Sequence, residues 1–85
     1  MTRDIDIRLF GAFRQYGADP TITLSVGAEA TVAAVRAALD ARLGTVDARS
    51  LLEASVFATD ERVLDDGEPL PSVRELAILP PVCGG

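Results

Sequence analysis

The end of this sequence constrains its fold more than any other stretch. The apolar run 76–79 is typical of a buried strand, and Pro80 and Pro81 follow it directly. Neither proline has an N–H group to donate to a sheet, and both hold φ near about −65°. We therefore expect a core strand that stops at Leu79 and a chain that leaves the sheet stiffly at that point.

The residues after this strand carry no charged side chain. Gly84 and Gly85 add only backbone and a terminal carboxylate. Six extended residues reach at most about 20 Å, which is enough to place that carboxylate deep in a partner's pocket. We expect a folded domain at 1–79 and a flexible tail at 80–85. Small residues are also common at frayed chain ends. The glycine pair alone therefore does not show whether the tail enters a partner's pocket or is an ordinary frayed end.

Composition indicates one globular domain. The chain has 85 residues, of which 48% are hydrophobic and 25% charged. It has no apolar stretch of the roughly 20 residues that span a membrane, and no apolar signal region follows Arg3. A lone cysteine cannot form an internal disulfide, in agreement with a reducing compartment. We expect a cytoplasmic protein.

The balance of charge bears on partners. The net charge is −5, and all 8 basic residues are arginine. An acidic chain without a basic stripe argues against binding to nucleic acid or to an anionic membrane, and it suits a partner with a basic docking face. Because the sequence has no lysine, a ubiquitin-like chain cannot be built on its side chains.

Catalytic options are few. The sequence has no histidine and one cysteine, which excludes Ser-His-Asp and Cys-His arrangements and His/Cys metal clusters. The acidic residues are densest at 60–61 and 65–68, in turn-like sequence where solvated carboxylates are expected. We expect no metal, no cofactor bound by the chain itself, and no catalysis by the chain alone.

Two alternating segments predict half-buried strands. Residues 4–10 would place Phe10 on the face opposite the core, and residues 21–26 follow the same period of two. A connection with one helical turn at 13–16 lies between them. Short strands are expected at 56–58 and 63–64. The residues predicted to face the core are Ile5, Ile7, Leu9, Ile22, Leu24 and Val26.

The clearest helix follows Thr31, a plausible N-cap. Apolar residues then recur on one helical face, and Gly44 is a suitable C-terminal stop. We expect a weak Arg36–Asp40 pair on this helix. Residues 45–49 are predicted to be a loop and 50–54 a helical turn or a strand lead-in. The helical face consists of Val32, Val35, Leu39 and Leu43. A sheet with this one main helix across one face is an α+β fold.

The run Leu-Pro-Pro-Val-Cys-Gly-Gly at 79–85 resembles the C-terminal signature of the small, sulfur-carrying subunit of molybdopterin synthase. That family belongs to the ubiquitin-like sulfur carriers, which also include the thiamine-biosynthesis carrier. The first strand at 5–10, the helix after Ala30 and the end 70–85 agree with it. One departure is 71–75, where the family commonly has a Gly-Asp pair. The resemblance implies a β-grasp with a mixed sheet of four to five strands, in which the first and last strands are central, adjacent and parallel.

The resemblance also implies a function. In that family a ubiquitin-activating-like adenylyltransferase uses ATP to adenylate the terminal glycine, here Gly85, which becomes a thiocarboxylate. The carrier then gives its sulfur to a pterin precursor in complex with the large synthase subunit. Gly84 would provide access to a narrow channel. The residues that set the direction of the tail would be Pro80, Pro81 and Val82.

If the first and last strands are neighbours, Phe10 and Leu79 share the open face of the sheet, and we expect Phe57 to join them in a docking patch. The alternative is that some of these side chains pack beneath residues 45–55. Cys83 has two interpretations, a thiol in sulfur transfer or a tolerated small residue. No basic side chain neighbours it to lower its pKa, which favours the second.

Other functions stay open at this point. A sulfur carrier for thiamine thiazole or another metabolite would have the same tail. A protein modifier would join Gly85 to a target lysine, and an inert β-grasp module would not use the tail at all.

Overall fold

The protein is described by a computed structural model, which covers residues 1–16 and 19–81. Its strands are β1 (Thr2–Leu9), β2 (Thr21–Gly27), β3 (Val56–Ala58), β4 (Val63–Leu64) and β5 (Glu75–Leu79). Its helices are α1 (Val32–Leu43) and α2 (Val46–Glu53), with a 3-10 helix at Gly11–Tyr16.

The strands form one mixed sheet in the order β2-β1-β5-β3-β4. β1 pairs with β5 in parallel, in a register that places Leu9 beside Ile78, and β3 pairs with β5 antiparallel. Parallel neighbours need a long crossover, and the helices between β2 and β3 lie within it. The β-grasp fold and its central parallel pair are therefore confirmed.

The core lies on one face of this sheet. The alternation in β1 and β2 buries Ile5, Ile7 and Leu9 together with Ile22, Leu24 and Val26, as predicted. Phe13, from the 3-10 helix, is also buried. Apolar side chains of α1 cover this face, and those buried are Val32, Val35 and Leu39, while Leu43 is only partly buried against them.

The start of α1 differs from the expectation. Thr31 is the N-cap residue, but its hydroxyl makes no capping hydrogen bond. The carbonyl oxygens of Glu68 and Asp66 accept instead from the first-turn N–H groups of Val32 and Ala33, at 3.1 and 2.9 Å. The turn at 65–68, distant in sequence, thus satisfies N–H groups of α1 that the Thr31 side chain was expected to satisfy. The end is as predicted, because Gly44 adopts a left-handed φ of 70° and its N–H donates to Asp40.

Residues 45–49 are not a loop, since α2 begins at Val46. The hydroxyl of Thr45 accepts from the N–H of Ala48 at 3.1 Å, which caps the helix. Ala48 and Leu52, four residues apart, face the core. None of the helices in residues 1–16 and 19–81 is long and apolar enough to cross a membrane.

The predicted pair between Arg36 and Asp40 is wrong. Asp40 contacts Arg49 of α2, with 3.2 Å between Oδ1 and Nε. Arg36 makes a bidentate pair with Asp66, at 2.9 and 2.8 Å, and also donates to the carbonyl oxygen of Leu52. Its guanidinium lies 5.3 Å from the ring centroid of Phe57. Arg36 therefore joins α1, α2 and the turn at 65–68, and it does so above the ring of Phe57 in the core.

We expect Arg36→Met to lower the free energy of unfolding by about 2 kcal/mol, because Asp66 and the Leu52 carbonyl lose a charged donor. The side chain of Arg36 is only 18% exposed, which limits replacement of that donor by water. The matched control is Arg49→Met, which breaks an exposed pair and is expected to change nothing measurable. Urea unfolding midpoints measure both changes, and equal midpoints would contradict the role given to Arg36.

Candidate functional site

The candidate site is the end of β5, where the chain leaves the centre of the sheet. Leu76 and Ile78 point into the core, while Ala77 and Leu79 are half-buried on the opposite face. The strand ends at Leu79, as the two prolines predict. The tail therefore begins between β1 and β3, with a paired strand on either side.

The tail itself is described only as far as Pro81. Pro80 is half-buried and Pro81 is exposed. Val82, Cys83, Gly84 and Gly85 lie outside the described residues. Their assigned roles, including both interpretations of Cys83, stay predictions.

An apolar patch lies on the open face of the sheet beside this exit. Leu79 pairs with Val56, and Ala77 pairs with Ala58, which in turn pairs with Val63. Leu9 and Ile78 are partners in the parallel register. Phe10 follows Leu9 and Leu79 follows Ile78, so the alternation places both on the face opposite the core. Val56 is 39% exposed, Val63 56% and Phe10 38%. We call this set, Phe10, Val56, Val63, Ala77 and Leu79, the open-face patch.

Phe57 does not belong to the open-face patch, contrary to the expectation from sequence. It is 0% exposed and lies in the core. Its partners in the register, Leu64 and Ile78, are buried on the same side. The alternation of β3 directs Phe57 inward and Val56 outward.

Sequence reasoning missed Val56 and Val63. A three-residue strand and a two-residue strand show too little alternation to assign a face. The usable signal was size, because a large aromatic side chain between two smaller residues gains more from burial.

Charged side chains border one part of the open-face patch. A groove of about 510 Å³ runs beside it, with Phe10 and Ala77 among its lining residues. Arg8 pairs with Glu75 at 3.7 Å, and its guanidinium lies 5.3 Å from the ring centroid of Phe10. The charged residues along the groove are Arg8, Asp60, Glu61, Arg62, Arg74 and Glu75. An apolar centre with a charged rim is typical of a protein docking surface.

One carboxylate in the turn between β4 and β5 has a shifted pKa. Hydrogen bonds from the guanidinium of Arg62 and from the N–H of Asp65 lower the pKa of Glu68. The same pair raises the pKa of Arg62. Glu68 therefore stays charged and holds the turn that caps α1. Among residues 1–16 and 19–81, no group of three or more His, Cys, Asp or Glu side chains is placed to hold a metal ion.

A scan against protein-family models matches the ThiS family over residues 7–85. The match begins within β1 and covers all of the following elements. The chain belongs to the ThiS family. It is thus a ubiquitin-like protein of the sulfur-carrier or modifier type.

Solved structures agree with this ThiS-family fold. The chain is similar to SAMP1 from Haloferax volcanii, with a TM-score of 0.71 and 24% identity, over 98% of this chain and 100% of that one. It is also similar to the Haloferax volcanii HVO 2177 protein, with a TM-score of 0.73 and 26% identity, over 99% of this chain and 88% of that one. A search of curated proteins gives no match.

The lowered pKa of Glu68 predicts a pH dependence of stability in this ThiS-family chain. The ion pair stabilises the fold fully above pH 4.5, the ordinary glutamate pKa, and this contribution is lost as the pH falls through the lowered pKa. Glu68→Gln should therefore lower the urea midpoint above pH 4.5 and leave it unchanged in stronger acid. Glu29→Gln, at an exposed glutamate whose charge does not act on Arg62, is the control. A Glu68→Gln deficit that persists undiminished in acid would contradict the assignment.

Proposed function

We propose that the chain is the sulfur carrier of a molybdopterin synthase, with Gly85 as the residue that is adenylated and then converted to a thiocarboxylate. The observation that supports the sulfur-carrier part of the proposal is the ThiS-family match, which extends to residue 85 and so includes the Gly-Gly end. The position of β5 supports the same part, since the base of the tail lies in the centre of the sheet beside an apolar patch. The assignment to molybdopterin rests on the resemblance of residues 79–85 to the C-terminal signature of that carrier.

The carrier itself contributes only its terminal carboxylate to this chemistry. A carboxylate is a poor electrophile, and sulfide does not displace its oxygen. Attack of the Gly85 carboxylate on the α-phosphorus of ATP releases pyrophosphate and forms an acyl adenylate. Hydrosulfide then attacks the carbonyl carbon, AMP leaves, and a proton is released. The thiocarboxylate sulfur displaces an oxygen leaving group from a carbon of the acceptor, and water then hydrolyses the acyl–sulfur bond, which returns the Gly85 carboxylate and leaves the sulfur on the acceptor as a thiol.

The partner enzymes would supply what this sequence lacks. The chain has no histidine to act as a general base near neutral pH, and ATP would be bound by the adenylyltransferase. The large synthase subunit would hold the pterin precursor. Gly84 and Gly85 fit this division of work, because an end without side chains passes through a narrow channel to either active site.

Intact mass measurement tests the sulfur chemistry. The full chain is incubated with ATP, a sulfide donor and the adenylyltransferase from its own host. We expect a mass gain equal to one oxygen exchanged for sulfur, located at Gly85 and lost when Gly84 and Gly85 are deleted. A chain that keeps its mass, under conditions in which a known carrier is converted, would overturn the proposal.

Two further readouts separate the remaining functions. Copurification with a large subunit that converts a pterin precursor supports the molybdopterin assignment, whereas a partner that forms thiazole supports a thiamine carrier. Gly-Gly remnants on lysines of other proteins would show a modifier instead.

A Cys83→Ser variant that accepts sulfur at the normal rate would exclude a thiol role for Cys83.

The open-face patch is proposed to dock the adenylyltransferase. Val56→Asp places a carboxylate in the patch and should weaken this binding by roughly tenfold or more, since an unpaired charge is costly to bury in an apolar contact. Ser25→Asp is the matched control, because Ser25 is exposed on the same face but on β2, two strands away from β5. Calorimetric titration measures both, and equal affinities would remove the patch from the interface.

A further inference from the structure

The base of the tail lies against Gly11, the first residue of the 3-10 helix that follows β1. Gly11 directly follows Phe10 and has a φ of +57°, in the left-handed region. A Cβ built on Gly11 would lie 2.8 Å from Cγ of Pro80. Carbon atoms that are not bonded prefer a separation of about 3.5–4.0 Å. The Pro80 ring therefore occupies the space that a side chain at residue 11 would need.

The backbone on the other side of this contact is firmly held. Just before it, the N–H of Leu9 donates to the carbonyl of Pro20 at 2.8 Å, while Leu9 also pairs with Ile78. Just after it, the N–H of Phe13 donates to the carbonyl of Phe10 at 3.1 Å, and the Phe13 ring is buried. Gly11 thus has anchored residues two positions away on both sides and cannot easily move away from Pro80.

Pro80 cannot easily move away either without changing the course of the chain. Its ring is bonded to its own backbone nitrogen, unlike the end of a long flexible side chain. Beyond a change of ring pucker, relief of a clash would shift the backbone at the first residue of the tail. Because Pro80 and Pro81 both have a fixed φ, such a shift would be passed on to Pro81.

We propose that Gly11 is a positioning residue for the tail. Its missing Cβ makes room for the Pro80 ring and so sets the direction in which the tail that carries the C-terminal carboxylate leaves the sheet at Pro80. This inference rests on the proposed function, in which that carboxylate must meet the α-phosphorus of ATP in a partner's active site. A misplacement of about 1 Å in such a reaction can reduce the rate by about 10²-fold.

Gly44 separates the effect of the contact from the effect of φ. It has a similar left-handed φ of +70°, yet the nearest atom to a Cβ at Gly44 is the Ala41 carbonyl oxygen at 4.0 Å. Alanine is strained at both positions by the backbone alone. Only at Gly11 does it also meet the tail. Gly44→Ala is therefore the matched control for Gly11→Ala.

The experiment compares adenylation rates of the full chain, measured as pyrophosphate release by the adenylyltransferase from its own host. We expect Gly11→Ala to lower kcat/KM by roughly tenfold or more, through misplacement of the carboxylate, and Gly44→Ala to lower it by less than about twofold. If Gly11→Ala fails to fold, Gly11→Asn replaces it, since asparagine tolerates a left-handed φ and still carries a Cβ.

A double-mutant cycle with Pro80→Ala identifies the contact as the cause. That change removes the ring, so Gly11→Ala should lower kcat/KM much less in the Pro80→Ala background than in the original chain. A nuclear Overhauser effect between the Gly11 Hα atoms and the Pro80 ring protons provides a readout of the contact that needs no partner enzyme.

The outcomes distinguish this inference from the function it rests on. If the unaltered chain is not adenylated, the proposed function fails and the positioning role fails with it. If the unaltered chain is adenylated but Gly11→Ala matches Gly44→Ala, only the inference is overturned. Equal effects of Gly11→Ala with and without the Pro80 ring, or the absence of the Overhauser effect, would also overturn it.

Discussion

The pairing of β5 with β1 on one side and β3 on the other is the constraint on which the rest of the structure depends. It buries Leu76 and Ile78 in the core and closes a sheet whose two halves are otherwise separate. Because Pro80 follows this strand without a spacer, the base of the tail takes its position from the centre of the sheet and not from a loop. A site that is held in this way gains the precision of a paired strand.

Polar groups link the helices to this sheet at a few specific places. The turn at 65–68 satisfies the first N–H groups of α1 and also supplies Asp66 to Arg36. Arg3 donates in the same manner to the carbonyl oxygens of Pro71 and Val73, just before β5. These bonds fix the stretch that leads into the central strand. Burial drives the collapse of the core, and the polar bonds determine where the irregular segments lie on it.

Local patterns in the sequence were enough for most of the fold. The alternation around Ile5 and Leu24, the apolar face of α1 and the prolines after Leu79 all predicted the elements that the structure contains. The strands and the helix are long enough for their alternation or helical period to assign each of their residues to a face. The central parallel pair came from the resemblance to a known family, since no local pattern specifies which strands are neighbours.

Most of the failures have a common physical cause. The partner of Arg36 and the cap of α1 both depend on residues distant in sequence, whose contacts form as the chain folds. α2 is the exception, because its Thr45 cap and the spacing of Ala48 and Leu52 are local. The inward direction of Phe57 depends on its pairing with Ile78, which a three-residue strand does not reveal. The contact between Gly11 and Pro80 is of the same type. Glycine after Phe10 has many ordinary explanations, and only the geometry shows what lies against it.

The place of β5 in the sheet has a consequence for biosynthesis. A ribosome makes this strand after the other four strands of the described sheet, so β1 and β3 have no partner between them until residues 75–79 have emerged. The pairing of Asp6 with Glu75 joins distant parts of the chain, and such pairings form late. A product that stops before this strand lacks the centre of the sheet and leaves the facing edges of β1 and β3 unpaired. A molecule that reaches the folded state has therefore been made at least as far as the base of its tail.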